Sequence, residues 1–403
     1  MSFKKIFLAL PVLNEIDSLP KLINCIRNQT YKNFEVFVCV NQPEEWWNND
    51  KKYICENNQK TIEYLKNIKD IKINIIDKSC RGKAWDDKHY GVGFARKTIM
   101  DAIIPFAKDD DIILSVDADT TFEADYFKSV VDNFNIHKNA TALSVPYYHK
   151  LTDDEEANRA ILHYEIYMRY YSINMFRIKS PYCFTALGSA IAVPVWAYKS
   201  IGGMTPHKSG EDFYFLQKLR KYGKLILWNN LKVYPEARFS DRVFFGTGPA
   251  MIKGKNNDWD SYPIYHYSLF DEIEKFYKII PELYKSDISI PFIDFFNNSK
   301  NLFKPLRDNT KNTKSFVKAC HNKFDGLRIL QFLKSSQKNI KKSDESILIE
   351  FLLKFYNKKF KAYFDDKMQN FSFNNSSIKE LNAMRNFLMS IEEDYQKKDY
   401  ELI

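Results

Sequence analysis

Long apolar runs are the first thing this chain lacks. No window approaches the ~18 consecutive apolar residues of a membrane-spanning helix. The short N-terminal run KIFLAL stops at Pro11, with no small-residue cleavage site behind it. The expectation is a soluble protein, or one that touches the inner membrane surface only peripherally. Patterned cysteine is missing too. The six cysteines (Cys25, Cys39, Cys55, Cys80, Cys183, Cys320) are scattered without a C-x-x-C pair, which argues against zinc and for a reduced, cytoplasmic setting. The formal net charge of +9 is dispersed through mixed Lys/Glu/Asp segments with no dense basic block. No nucleic-acid partner is expected, since no reading motif accompanies that charge. No histidine pair stands at i, i+4, so His207 and His266 remain lone options for a third metal ligand or an acceptor contact. Gly91-Val92-Gly93 is not followed by the third glycine of a dinucleotide fingerprint, which excludes a nicotinamide enzyme.

A hydrophobic fraction of 45% over 403 residues supports one large domain with an accessory one. Apolar runs at 5–10, 34–40, 71–76, 112–116 and 141–146 read as strands, and amphipathic stretches at 17–29, 91–106 and 123–136 read as helices. Strands alternating with helices imply an α/β chain with a doubly wound, mostly parallel sheet. A long aromatic, charged helix follows at 154–177, more often core than a binding platform. Small and apolar residues return at 183–195, and Ser209–Tyr222 reads as a helix opened by acidic residues. Past about residue 255 the chain turns rich in Lys, Asn, Phe and Tyr and nearly loses glycine. Helical periodicity there at 268–283, 315–338, 344–361 and 377–395 suggests a C-terminal helical domain over 256–403, joined to an α/β domain over 1–255.

The chemistry concentrates at strand ends. Ile112-Ile113-Leu114-Ser115-Val116 runs into Asp117-Ala118-Asp119, and ligands of open α/β sheets bind at the carboxyl ends of strands. Two carboxylates there can hold Mg2+ or Mn2+ against a diphosphate, because such cations seek oxygen and keep positions open for phosphate. Other strands end in polar tips on the same edge: Pro11-Val12-Leu13-Asn14-Glu15, then Asn41-Gln42-Pro43, then Asp77 followed by Arg81-Gly82-Lys83. Asn14 or Asp17 could equally cap the next helix. Arg96 lies one turn into the helix opened by Gly91 and Gly93, within reach of an anion. Gly188-Ser189-Ala190-Ile191-Ala192-Val193 places small residues where backbone passes close to a ligand or a neighbour. Glu211 and Asp212 open a helix after Gly210, where a carboxylate serves as a cap or as a general base.

Together PVLNE at 11–15, the Asp117-Ala118-Asp119 triplet, the GSAIAV segment and Glu211-Asp212 resemble the family 2 glycosyltransferases of the GT-A (nucleotide-diphospho-sugar transferase) fold, over residues 4–250. The resemblance implies a nucleotide-sugar donor, with a UDP-sugar the leading choice, and a glycan or lipid-linked glycan acceptor in cell-envelope polysaccharide synthesis. It also implies transfer that is metal-dependent and inverting. Position by position, Pro11, Asn14, Glu15 and Asn41 would line the nucleoside pocket, with Asp77 on the same edge. Asp117 would face ribose or metal, Asp119 would bind metal, and Asp212 would be the base with Glu211 in support. Many members carry Asp where Asn41 stands, and Trp85–Gly91 looks like an insertion. The stretch from Arg238 to Arg242 resembles a region that closes over the diphosphate, with Arg242 as the phosphate contact. Two rival readings remain: a sugar nucleotidyltransferase, disfavoured because no glycine-rich loop follows the first strand, and a catalytically silent glycan-binding or scaffold protein, disfavoured by the intact carboxylates.

Overall fold

The computed structural model describes residues 4–86, 88–208, 210–239, 247–256, 258–296, 301–364, 368 and 370–402. Its strands are β1 (Ile6–Val12), β2 (Phe34–Asn41), β3 (Ile73–Lys78), β4 (Ile112–Ser115), β5 (Thr120–Phe122), β6 (Ala142–Ser144), β7 (Ile191–Pro194), β8 (Leu225–Ile226) and β9 (Val233–Pro235). Helices α1 (Leu19–Arg27), α2 (Lys52–Asn67), α3 (Val92–Ile103), α4 (Tyr126–Ile136), α5 (Glu155–Arg177), α6 (Val195–Ser200), α7 (Glu211–Tyr222) and α8 (Thr247–Lys255) are threaded between and after them.

A seven-stranded sheet runs in the order β3-β2-β1-β4-β7-β6-β8. Four of its pairings are parallel, and β7 lies antiparallel to both β4 and β6. The expected class, a doubly wound and mostly parallel sheet accompanied by helices, is therefore present, with one reversed strand. Every residue of β1 and β4 is buried, as expected of strands covered on both faces. Pro11 fits inside β1 because of where β4 ends. The Ala9 carbonyl accepts from Val116 N at 3.2 Å, so Ala9 faces β4. With a period of two, so does the Pro11 nitrogen. Pairing with β4 stops at Ala9↔Ser115, and the N–H that proline lacks is not needed. A separate two-stranded sheet joins β5 to β9.

The chain divides into two compact units: Met1–Ile161 with Phe184–Asn257 and Gln396–Ile403, and Leu162–Cys183 with Asp258–Tyr395. Where the composition break suggested one cut at 255/256, the units interleave along the sequence. The second unit contains α9 (Tyr267–Leu283), α10 (Pro291–Phe296), α11 (Lys304–Asp308), α12 (Thr313–Lys323), α13 (Gly326–Gln337), α14 (Asp344–Phe364) and most of α15 (Ile378–Glu401), besides the later part of α5. The expected helix at 315–338 is two helices. Asp325 interrupts it by accepting from Arg328 N at 3.3 Å, an N-cap that starts α13 afresh. Among the described residues no helix is long and apolar enough to cross a membrane.

Charge is buried deep in the helical unit. Glu165 and Arg169 of α5 and Arg385 and Glu392 of α15 are all at most 3% exposed. Arg169 reaches Glu165 at 2.5 Å and Glu392 at 2.6 Å, while Arg385 reaches Glu165 at 3.2 Å. Two cations and two anions balance, which is the condition for burying such groups at all. Arg385→Met should leave two glutamates sharing one guanidinium. The expected loss is about 3–5 kcal/mol of unfolding free energy, to be read from denaturant titration of the purified variant.

Candidate functional site: a buried guanidinium among carboxylates

β4 delivers Asp117 and Asp119 to the turn before β5, with side chains 33% and 22% exposed. Behind them sits Arg96 of α3, 2% exposed. Its Nη2 donates to Asp117 Oδ1, its Nη1 to Ser115 Oγ at 3.4 Å, and its Nε lies 3.4 Å from Glu211 Oε1. Arg96 was expected to meet an anion from solvent. Instead it is enclosed by the protein's own carboxylates, with His207, Lys208 and Glu211 packed against the start of α3.

Two glycines make that closure possible. A Cβ on Gly93 would overlap the His207 carbonyl oxygen and stand 2.8 Å from His207 N and 3.0 Å from Glu211 Cβ. One on Gly188 would overlap the Arg96 guanidinium itself. The G-x-G at the start of α3 and the glycine of GSAIAV therefore admit side chain and backbone, as close-approach glycines do. Gly210 precedes α7 at φ 74°, a left-handed conformation after which Glu211 is buried and Asp212 partly buried. Asp212 accepts from Phe213 N at 2.8 Å and from the Gly188 backbone.

One guanidinium faces three carboxylates here, and the proton affinities reflect it. Burial pushes Glu211 up to about 7, with Asp212 adding and Arg96 opposing. Burial likewise raises Asp117 and Asp212 against the pull of Arg96. Burial works against the charge of Arg96, yet Asp117, Glu211 and Asp212 outweigh it and raise its pKa.

A second guanidinium, Arg238, follows β9. Its Nη2 donates to Glu15 Oε1 and to Asp119 Oδ2, the latter at 2.9 Å, and its Nη1 to Ser18 Oγ at 3.2 Å. Hard divalent cations ask for one or two protein carboxylates and complete their shell with water and phosphate oxygens. Asp117 and Asp119, two residues apart on one turn, fit that requirement. Among the described residues no group of three or more His, Cys, Asp or Glu side chains forms a metal cage. His266 caps α9 within the helical unit, accepting from Ser268 N at 3.3 Å. His207 contributes backbone against Gly93, and its ring lies tilted against Tyr214 with centroids 4.5 Å apart.

The polar strand tips are brought together, but largely by bonding to one another. Asn14, at φ 56°, donates its backbone N–H to Asn58 Oδ1 at 2.9 Å, and its Oδ1 accepts from Asn57 at the same distance. Asn58 donates to Gln42 Oε1 at 2.7 Å, and Asn41, 3% exposed, donates to Val12 O at 3.0 Å. This amide network ties β1 and β2 to α2. Asn41 thus holds a strand end, and Pro11 is a buried strand residue. Asp77 shapes the turn after β3, accepting from Ser79 N at 2.9 Å and Cys80 N at 3.0 Å. Burial opposes its charge, but hydrogen bonds from Cys80 and Ser79 hold its carboxyl down at about 2. Neither Asn14 nor Asp17 caps α1, whose N-cap position is Ser18. Arg242 lies outside the described residues. Asn57 and Asn58 had no signal in the sequence, since neither stands in a motif or at a strand end, and the stretch opened by Arg238 pointed to a phosphate rather than to Glu15 and Asp119.

No protein-family model and no curated protein sequence matches the chain. Among solved structures, S. aureus TarS residues 1–349 in complex with UDP-GlcNAc is similar at TM-score 0.43 and 12% identity, over 83% of this chain and 92% of that one. The mannosyltransferase PcManGT from Pyrobaculum calidifontis, in complex with GDP-Man and Mn2+, is similar at TM-score 0.36 and 12% identity, over 97% and 86%. GalNAc-T7 with UDP, GalNAc and Mn2+ gives 0.39 and 14%, over 79% and 56%. Likeness of this degree leaves the function to the residues of this chain.

Gly188→Ala should expel the Arg96 guanidinium and cost about 3–5 kcal/mol, the usual penalty for breaking a buried ion pair. Its cost and that of Arg96→Met should fail to add, since both remove one interaction; denaturant curves of the two single variants and the double one measure this. The raised carboxyls also set a pH dependence. The folded protein binds the Glu211 proton more tightly than the unfolded chain, so this stabilisation is complete below about pH 4.5 and lost as pH rises through about 7. Melting temperature should therefore fall across that window, and Glu211→Gln should flatten the profile.

Proposed function

We propose that this chain is a glycosyltransferase that moves a sugar from a nucleotide-sugar donor, a UDP-sugar in the first instance, to a hydroxyl of a glycan or lipid-linked glycan acceptor. The reaction is metal-dependent and inverting, of the family 2, GT-A kind, and serves cell-envelope polysaccharide synthesis. One observation carries the reading. The carboxylate turn after β4 and the acidic start of α7 meet on a single buried guanidinium at the carboxyl edge of the sheet. A capping or salt-bridge role would not require three carboxylates to share one cation.

Asp117 and Asp119 would hold a Mg2+ or Mn2+ ion, which when bound neutralises the charge developing on the departing nucleoside diphosphate. Glu15, Asn14 and Asp77 border the same edge, on the nucleoside side. Asp212, partly buried and with its proton affinity raised by that burial, takes the proton of the acceptor hydroxyl. That oxygen attacks the anomeric carbon as the bond from the anomeric carbon to the diphosphate oxygen breaks. Glu211, buried against Arg96, keeps the pair oriented. Arg96 is a positioning residue: it links the metal-side Asp117 to the base-side helix. The helical unit, with no part in donor chemistry, would serve the acceptor or the membrane surface.

Two variants test this with nucleotide binding and sugar transfer read separately. Asp212→Asn should lower turnover by about 10²–10⁴-fold while leaving nucleotide affinity unchanged. Asp119→Asn should abolish the manganese dependence of nucleotide binding. Near-normal turnover with a lowered melting point in Asp212→Asn would reduce that residue to a structural one. Donor binding without transfer or hydrolysis in the parent protein would leave a silent glycan-binding protein.

A further inference from the structure

Arg238 occupies the place of a cation. A single nitrogen, Nη2, donates to both Glu15 Oε1 and Asp119 Oδ2. Its other terminal nitrogen is held by Ser18 Oγ at 3.2 Å and lies 3.8 Å from Glu236 Oε2. The contact is built into the backbone. β5 pairs with β9, and Glu236 N donates to the Asp119 carbonyl at 3.1 Å, so the segment bearing Arg238 is anchored to the turn that bears Asp119. The side chain remains 28% exposed, leaving it room to swing from the carboxylates toward the sheet edge.

A divalent ion on Asp119 and a guanidinium on the same carboxylate repel each other as like charges within one shell of oxygens. We infer that Arg238 is the exchangeable counter-charge of Asp119: a divalent cation must displace it from Oδ2, and the released guanidinium then becomes a ligand of the donor's diphosphate. This rests on Asp119 being a metal ligand, as proposed above, and goes beyond it by coupling the two halves of the ligand. Cation alone binds against the competing arginine. Cation with nucleoside diphosphate binds with the arginine's help, since guanidinium pairs well with phosphate oxygens. By linkage the two ligands then favour each other by the same factor.

Mn2+ binding, followed by electron paramagnetic resonance with and without UDP, separates this from a structural salt bridge. Arg238→Gln should bind Mn2+ alone about 3–10-fold more tightly than the parent, for a partly exposed pair removed. The same variant should bind UDP in the presence of Mn2+ about tenfold or more weakly, so the mutual enhancement collapses. Arg238→Lys, a point charge that cannot fork, should fall between. If loss of the partner of Glu15 prevents folding, the double variant Glu15→Gln/Arg238→Gln gives the same readout without leaving a charge on residue 15 unpaired. Unchanged or weaker Mn2+ binding in a folded Arg238→Gln protein, with Asp119→Asn still losing Mn2+, overturns the exchange and leaves the metal reading intact. Undiminished Mn2+ binding in Asp119→Asn overturns both.

Discussion

The first unit is organised around the burial of one positive charge. Arg96 lies at the junction of α3, the end of β4 and the start of α7, and a guanidinium so enclosed is tolerable only while its carboxylates are in place. That requirement reaches outward through the chain. It fixes glycine at positions 93 and 188, where any Cβ would occupy the space of the loop or of the guanidinium. It buries Glu211 and leaves the next residue, Asp212, partly buried beside it. It also draws Asp117 back toward the sheet while Asp119, two residues on, answers to Arg238. Carboxyl groups outnumber guanidinium groups in this cluster, and burial raises the proton affinity of Asp117, Glu211 and Asp212 as a result.

Much of this framework can be read from residues alone, for a physical reason. Strands buried on both faces must be continuous apolar runs, so β1, β2 and β4 announce themselves, and β4 ends where the carboxylates begin. The acidic pair at the start of α7 is equally visible. Pairing direction is not encoded in composition: the apolar stretch at 183–195 would serve as well in a parallel strand as in β7, which runs antiparallel. Short strands such as β5 and β9 have too few residues to show a period. α2, whose apolar face is narrow and interrupted by Asn57, Asn58 and Thr61, escapes a hydrophobic pattern because its buried side partly consists of amides.

The same distinction separates the site residues. A carboxylate pair in a motif is conspicuous, but its counter-charges are not, because an arginine 21 or 119 residues away carries no mark of its destination. Arg96 invited an anion from solvent and found three within the protein. Asn41 and Asp77 look like ligand contacts by position, yet Asn41 is bonded to the neighbouring strand β1 and Asp77 to its own turn. In the helical unit the reverse holds. The aromatic helix expected to be mostly core does bury Tyr164 and Tyr170, and His163 is stacked 3.7 Å from both Trp259 and Phe373. Burial pushes that imidazole down to about 3, so it is neutral throughout the physiological range and acts there as an aromatic ring.

The small β5–β9 sheet has a kinetic meaning. Because it ties the backbone of Glu236 to that of Asp119, Arg238 and its carboxylate cannot drift apart as segments, and any change of partner is confined to rotation about side-chain bonds. Rotamer changes of partly exposed side chains take picoseconds to nanoseconds, whereas loop closures run to microseconds or longer. Transfer of the arginine between partners would therefore keep pace with diffusion of the ligand, and the pause in a catalytic cycle would have to arise elsewhere in the molecule.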